Sequence, residues 1–313
     1  TGPTADNFAL VTYDGNGVSP RTITTDLDLT TKGFILGTAL NATPSYRLMW
    51  STLYPNENEI LTMSDNSAKF TTDVFSNVTA TGHDVASFIN ANGARYANWA
   101  FKTGVDFDVV EYTGTGGAFD QTHALTSPSM MICKSLATGD WVVSHKASGL
   151  ATKTNDPTYQ YDQSAFELSI FNDGVVNFDF IDSGSVNVAG VDYIAFIFGD
   201  NANVTGGTYE GFGGNSPVNV GFGSTPYLFL IKAVGSADDW LLFDCKRYNV
   251  SPYVEPYPVM LNNRSSSEDF LASSFDATDL SLVGDYPTSE LQVSGTLNEF
   301  GVIYQWLAIK GTY

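Results

Sequence analysis

The sequence predicts an all-β protein of three tandem β-sandwich-like modules, each of about 100 residues. Three observations predict it. A set of landmarks recurs three times in one order at near-constant spacing. Between the landmarks, short runs rich in Thr, Val, Ile, Tyr and Phe alternate with Gly and Asn turns. Helical periodicity of any length is scarce; 84–90 is expected to form at most a short turn, since Asn92-Gly93 follows.

The opening landmark is a Tyr-x-Gly-x-Gly turn: Tyr13-Asp14-Gly15-Asn16-Gly17, Tyr112-Thr113-Gly114-Thr115-Gly116 and Tyr209-Glu210-Gly211-Phe212-Gly213. Pro128 to Lys134 and Pro226 to Lys232 then form Pro-led apolar strands with Pro and Lys six apart. An aromatic strand follows as Tyr46-Arg47-Leu48-Met49-Trp50, Trp141 to His145 and Trp240 to Asp244. The closing strands run Tyr96 to Phe101, Tyr193 to Phe198 and Tyr304 to Ile309. In them Trp99 and Phe101, Phe196 and Phe198, and Leu307 and Ile309 each share a face at period two. The expected organisation is a linker over 1–6 and modules over 7–103, 104–200 and 201–313, tightly packed given the aromatic content. Trp99, Trp141, Trp240 and Trp306 fall within apolar strand patterns and are expected to fill cores.

Charged residues make up only 15% of the chain, against roughly 25% in ordinary soluble domains, so Thr, Ser, Asn and Gly must cover much of the surface. The net charge of −20 opposes phosphate backbones and anionic membranes; no nucleic-acid partner and no membrane insertion are expected. No apolar run reaches the length of a membrane span, and no charged-then-apolar leader opens the chain; without an initiator Met, Thr1 reads as the start of a segment or processed form. Cys133 and Cys245 lie in apolar strands and are expected as buried free thiols. Whether carboxylates hold Ca²⁺ stays open, though the EF-hand pattern is missing.

The Tyr-x-Gly-x-Gly openings, the runs Thr138 to Val143 and Asp238 to Asp244, and the closing Gly-x-x-Tyr-x-x-x-x-Phe pattern (Gly93 to Phe101, Gly190 to Phe198) together resemble repeated modules of tail-fibre-like structural proteins in marine tailed bacteriophages of cyanophage type. The resemblance runs from about Asn7 to Lys310. It implies a virion location, other virion proteins as partners and a homotrimer, since such fibres are commonly threefold; it supplies no catalytic residues. The first copy departs most, with Tyr46-Arg47 where the others carry Trp, and the third ends in Ile309 instead of Phe.

No catalytic or metal-binding constellation stands out, so no enzyme and no cofactor is expected and no metal ligands are assigned. The histidines are His83, His123 and His145; no Gly-x-Ser-x-Gly, His-x-x-x-His or Cys-x-x-Cys occurs, and His145 reads as a half-buried strand residue. Carboxylate pairs could serve glycoside cleavage, but neighbours such as Asp238-Asp239 point to opposite faces of an extended segment.

The loop after each aromatic strand differs among the copies yet always combines Tyr, Pro and Asn or Asp. Rings on a rigid scaffold offer platforms to sugars or proteins, and prolines limit ordering entropy. The receptor-contact candidates are therefore Tyr54 and Asn56, then Tyr159, Tyr161 and Asp162, then Tyr248, Tyr253 and Tyr257. The competing expectation, and the favoured one, is that these tyrosines cover the sandwich end or pack on a neighbour. The sequence thus predicts a tail-fibre-type adhesive subunit binding a host surface glycan or protein. The alternatives are a passive capsid-decorating or shaft protein and, last, a polysaccharide depolymerase.

Overall fold

The computed structural model describes residues 7–41, 46–63, 65–153, 160–162, 168–172, 175–178, 186–214, 216–222, 226–235, 240–244, 259–261, 280–282, 290–293 and 297–310. Among them the fold is all-β, with antiparallel sheets in sandwich-like modules. A 3-10 turn at Ser87–Ile89 lies between the strands of the first stretch.

The first stretch contains β1 (Phe8–Asp14), β2 (Arg21–Thr24), β3 (Gly33–Ala39), β4 (Arg47–Ser51), β5 (Glu59–Thr62), β6 (Phe70–Thr71), β7 (Phe75–Thr79), β8 (Gly82–Val85) and β9 (Arg95–Lys102). The second contains β10 (Phe107–Thr113), β11 (Phe119–Thr122), β12 (Pro128–Ser135), β13 (Trp141–His145), β14 (Leu150–Lys153), β15 (Gln160–Asp162), β16 (Leu168–Asn172), β17 (Val175–Phe178) and β18 (Asp192–Gly199). The third contains β19 (Val204–Glu210), β20 (Ser216–Asn219), β21 (Pro226–Val234), β22 (Trp240–Asp244), β23 (Val259–Leu261), β24 (Leu280–Leu282), β25 (Glu290–Val293) and β26 (Ile303–Lys310).

Each stretch builds one large and one small sheet. The large sheets run β1-β9-β3-β4-β5-β6, β10-β18-β12-β13-β14-β15 and β19-β26-β21-β22-β23. The small ones run β2-β8-β7, β11-β17-β16 and β20-β25-β24. Within each copy the opening strand pairs with the closing strand, which pairs in turn with the strand that precedes the aromatic one.

In the second and third copies the two faces of the large sheet have different covers. In the second copy Tyr193, Ala195 and Ile197 join Val110, Met131 and Cys133 in a core of their own, and in the third Tyr304, Trp306 and Ala308 join Val218, Phe229 and Val293. The alternate residues Ile194, Phe196 and Phe198, and Leu307 and Ile309, lie instead in one continuous core with Trp99 and Phe101 of the first copy. The three period-two faces of the closing strands therefore meet. At about 1.5–3 kcal/mol per large apolar side chain, this shared core outweighs any polar contact between the copies.

The register places equivalent residues against one another. Phe8, Phe107 and Val204 hold the same ladder position, opposite Phe101, Phe198 and Ile309. Phe101 meets Phe107 at 5.2 Å and Phe198 at 5.9 Å between ring centroids. One residue earlier stand Asn7, Asp106 and Asn203. Asn7 Nδ2 donates to Asp106 Oδ2 at 2.9 Å, and Asn203 Nδ2 donates to Asp106 Oδ1 at 3.3 Å. Equivalent residues converge only about a rotation axis, so the three sheets surround a pseudo-threefold axis inside one chain. Both the start of β1 and the end of β26 lie at this axial end, where the Lys310 amide donates to the Asn203 carbonyl at 2.7 Å.

Two motifs find their cause here. Pro128 and Pro226 sit at strand starts where the ladder to the closing strand slips, the position where a missing N–H is tolerated. Lys134 and Lys232 are buried on the inner face; Lys134 Nζ donates to the carbonyls of Ser135 and Ala137 at 2.7 and 3.0 Å, and burial pulls its pKa down to about 8.

The register also corrects one alignment. Lys134 stands opposite Trp141, and its counterpart in the first copy, Thr38, stands opposite Arg47. Arg47, not Tyr46, takes the place of Trp141 and Trp240, and it is buried. The indoles of Trp141 and Trp240 each reach into the preceding copy. Trp141 Nε1 donates to the Thr62 carbonyl at 2.8 Å, and Trp240 Nε1 to Thr152 Oγ1 at 3.0 Å. Trp99, Trp141, Trp240 and Trp306 are all buried.

Candidate functional site

At the far end of each opening strand, roughly 20 Å from the axial Asn7 at about 3.3 Å per residue, the Tyr-x-Gly-x-Gly turn closes onto the start of the closing strand as a clasp. Tyr13 stacks on Tyr96, Tyr112 on Tyr193 and Tyr209 on Tyr304, with ring centroids 5.3, 5.2 and 4.9 Å apart. The first ring of each pair donates its hydroxyl to a carbonyl, of Ile89 at 2.8 Å, Val186 at 2.7 Å and Leu297 at 2.5 Å. Burial raises the pKa of all three phenols, so the hydroxyls stay protonated donors. The hydroxyl of the second ring accepts from the backbone amides of Ala91, Val188 and Glu299 at 3.0, 3.0 and 3.1 Å.

The glycines are required by space and by dihedral. A Cβ on Gly15, Gly114 or Gly211 would run into the carbonyl oxygen of Ala91, Val188 or Glu299. Gly17, Gly116 and Gly213 have φ of 72°, 69° and 75°.

A buried asparagine centres each clasp: Asn90, Asn187 and Asn298. Its Oδ1 accepts from the amide of Asn16, Thr115 or Phe212 at 3.2, 2.8 and 2.9 Å. Its Nδ2 donates to the carbonyl of Val18 at 2.6 Å, of Gly117 at 2.8 Å, and of Gly214. Sequence reasoning missed these residues. The signal is an Asn-x-x-Gly-x-x-Tyr spacing, at Asn90-Gly93-Tyr96, Asn187-Gly190-Tyr193 and Asn298-Gly301-Tyr304.

The clasp separates a constant frame from variable exposed positions. Between the two motif glycines stand Asn16, Thr115 and Phe212; before the later glycine stand Asn92, Ala189 and Phe300. All six are exposed, and in the third copy both are phenylalanines, 70% and 82% exposed. Among the described residues no other large hydrophobic side chain is as exposed except Val105. Phe88 beside the first clasp is half-exposed and stacks on Tyr46 at 5.9 Å.

The candidates from the variable loops are not gathered into one site among the described residues. Tyr54 is buried, with Lys69 Nζ 4.9 Å from its ring centroid, so it is withdrawn as a surface contact: the ring serves packing. Asn56 is exposed, and its carbonyl accepts from the Glu59 amide at 3.1 Å. Tyr161 and Asp162 belong to β15, paired with Ala151 and Leu150 of β14. Tyr159, Tyr248, Tyr253, Tyr257, Asp238, Asp239 and Cys245 lie outside the described residues.

The buried titratable groups have structural partners. His145 is fully buried, not half-buried as expected; its Nε2 donates to the Trp306 carbonyl at 2.9 Å, tying the second copy to the third. The Asn98 amide donates to His83 Nε2 at 2.9 Å inside the first sandwich. Burial holds both imidazoles down at about 4, hence neutral. Asp108 takes Lys32 Nζ at 2.6 Å and the Ala124 amide at 2.7 Å, and Asp84 takes Thr22 and Asn77. Cys133 is a buried free thiol 3.0 Å from the Tyr112 hydroxyl, and burial pushes its pKa up to about 12. Among the described residues no group of three His, Cys, Asp or Glu side chains could hold a metal ion.

The model of one protein family, a domain of unknown function (DUF7483), matches residues 86–309. The chain belongs to the DUF7483 family. The DUF7483 match opens just before Asn90, the centre of the first clasp, and closes at Ile309 on the pseudo-threefold axis. It therefore takes in two complete clasps and the asparagine-bearing half of the first. A comparison with curated proteins gave no match.

Proposed function

We propose that this DUF7483 chain is an adhesive surface subunit of a virion, of tail-fibre type, that binds a host surface glycan or protein without chemical turnover. The observation that carries the reading is the clasp: one frame of Tyr, Gly and Asn built three times, with exposed positions that differ in every copy. Constant scaffold with variable exposed residues is the arrangement recognition surfaces use. The sparsely charged surface and the resemblance to marine phage fibre modules support it further.

A second, architectural reading, as a shaft or decorating protein with only virion partners, draws support from the internal pseudo-threefold axis, a shape that suits a threefold particle. The same axis gives one chain the symmetry a homotrimer would otherwise supply. Light scattering separates the two forms: a single chain is expected near its sequence mass of 33.8 kDa and a homotrimer at three times that.

The deciding experiment is binding of the purified protein to whole marine bacterial cells, cyanobacteria included, and to their isolated surface glycan. Free sugar serves as competitor, and reducing-end release is monitored. Saturable binding without sugar release supports the adhesin. Absence of binding by the folded protein to every host favours the architectural reading, and sugar release favours the depolymerase.

A further inference from the structure

We propose that Phe212 and Phe300, on the third clasp, form a docking platform for a polypeptide partner that presents cationic side chains beside apolar ones. The two residues are 88 apart in sequence, and the clasp makes them neighbours. The Gly213 amide donates to the Asn298 carbonyl at 2.8 Å, and a Cβ on Gly213 would stand 3.5 Å from the Phe300 Cβ. Ile303, 38% exposed, extends the apolar surface, directly across the β19–β26 ladder from the exposed Glu210. Glu299 adjoins Phe300 and is exposed.

The rings do nothing for the clasp itself. The first clasp makes the same amide-to-asparagine bonds with Asn16 and Asn92 in these places, and the second makes them with Thr115 and Ala189. Two phenylalanines left in water in one copy alone mark a contact surface.

Charge selects the occupant. Glu210 and Glu299 flank the rings, and the chain carries −20 overall, which opposes a second copy of itself and anionic lipid or glycan. Arg or Lys can stack on a ring face while pairing with a flanking carboxylate, and neighbouring apolar groups cover the remainder. The inference goes beyond the adhesive reading and does not depend on it, because a neighbouring structural protein satisfies it as well as a host receptor.

The test uses the intact chain and three labelled peptides, of alternating Arg and Leu, alternating Arg and Gly, and alternating Glu and Leu, followed by fluorescence anisotropy. The Arg–Leu peptide is expected to bind at least tenfold more tightly than the charge-matched Arg–Gly peptide. The double variant Phe212→Asn/Phe300→Asn, which copies the first clasp, is expected to abolish that preference with the urea midpoint unchanged. Glu210→Gln/Glu299→Gln, which leaves the rings in place, is expected to weaken Arg–Leu binding. Equal binding of the two Arg peptides, a preference for Glu–Leu, displacement by a neutral oligosaccharide, or a preference that survives the double Phe variant each overturns the proposal.

Discussion

Asn7 and Asp106, equivalent residues of the first and second copies, hydrogen-bond to each other at 2.9 Å, and the third equivalent, Asn203, donates to the same carboxylate. The three differ as they must at one axial point: a single acceptor serves two donors. Asp106 is buried, so an Asp106→Ala variant leaves the half-buried amides of Asn7 and Asn203 without their acceptor. The expected loss is about 1–3 kcal/mol, from two hydrogen bonds at roughly 0.5–1.5 kcal/mol each, because half-buried amides can turn to water. It is read as a lower urea midpoint. A change below about 0.5 kcal/mol would remove the axial triad from the stability argument.

The clasp predicts a sharp contrast between adjacent positions. Gly114→Ala drives a methyl into the Val188 carbonyl, and Asn187→Ala strips an acceptor from Thr115 and a donor from Gly117. Asn187→Ala is expected to cost about 2–3 kcal/mol, from two bonds at roughly 1–1.5 kcal/mol each. Gly114→Ala is expected to cost at least as much, whereas Ala189→Ser on the exposed rim stays within about 0.5 kcal/mol. Thermal unfolding of the three variants checks the order.

Acid is expected to loosen the protein through His83 and His145. Both have a folded pKa near 4, below the unfolded 6.5, so the unfolded chain binds more protons in between. Stability is therefore complete above pH 6.5 and is lost as pH falls through the window to 4. Asp84 beside His83 and Asp200 beside His145 oppose the shift without cancelling it. Each histidine contributes roughly 3 kcal/mol at full protonation, at about 1.4 kcal/mol per pKa unit. Urea midpoints at pH 7 and 4.5 are expected to converge in part in His145→Gln, where the amide can still donate to the Trp306 carbonyl.

Cys133 is expected to be inert. Only the thiolate reacts, and burial beside the Tyr112 hydroxyl disfavours it. In a Cys245→Ser background, alkylation of Cys133 is expected only when urea unfolds the chain. Rapid labelling of the native protein would show that the second core opens.

The local signals were legible because they are local. Period-two alternation in the closing strands marks one face of each, and the Tyr-x-Gly-x-Gly turns mark where each copy begins. Alternation says which side chains share a face and is silent on what covers that face. That silence explains the residues that went astray. Aromatic identity suggested Tyr46 as the counterpart of Trp141, whereas ladder register gives Arg47; a one-residue step exchanges the faces. Tyr54 sits in a Pro- and Asn-rich loop that reads the same whether its ring turns outward or inward, and it turns inward. His145 closes a strand whose far side is covered by the third copy, a contact 161 residues away.

The sequence by itself determined an all-β chain, the threefold repetition and the strands within it, since these follow from spacing, alternation and turn chemistry. Only the tertiary structure decided that the three inner faces share one core about an axis, that Asn90, Asn187 and Asn298 lock the clasps, and that Phe212 and Phe300 are both exposed on one clasp. Burial and long-range pairing depend on which surfaces the chain brings together, and that is a property of the folded whole.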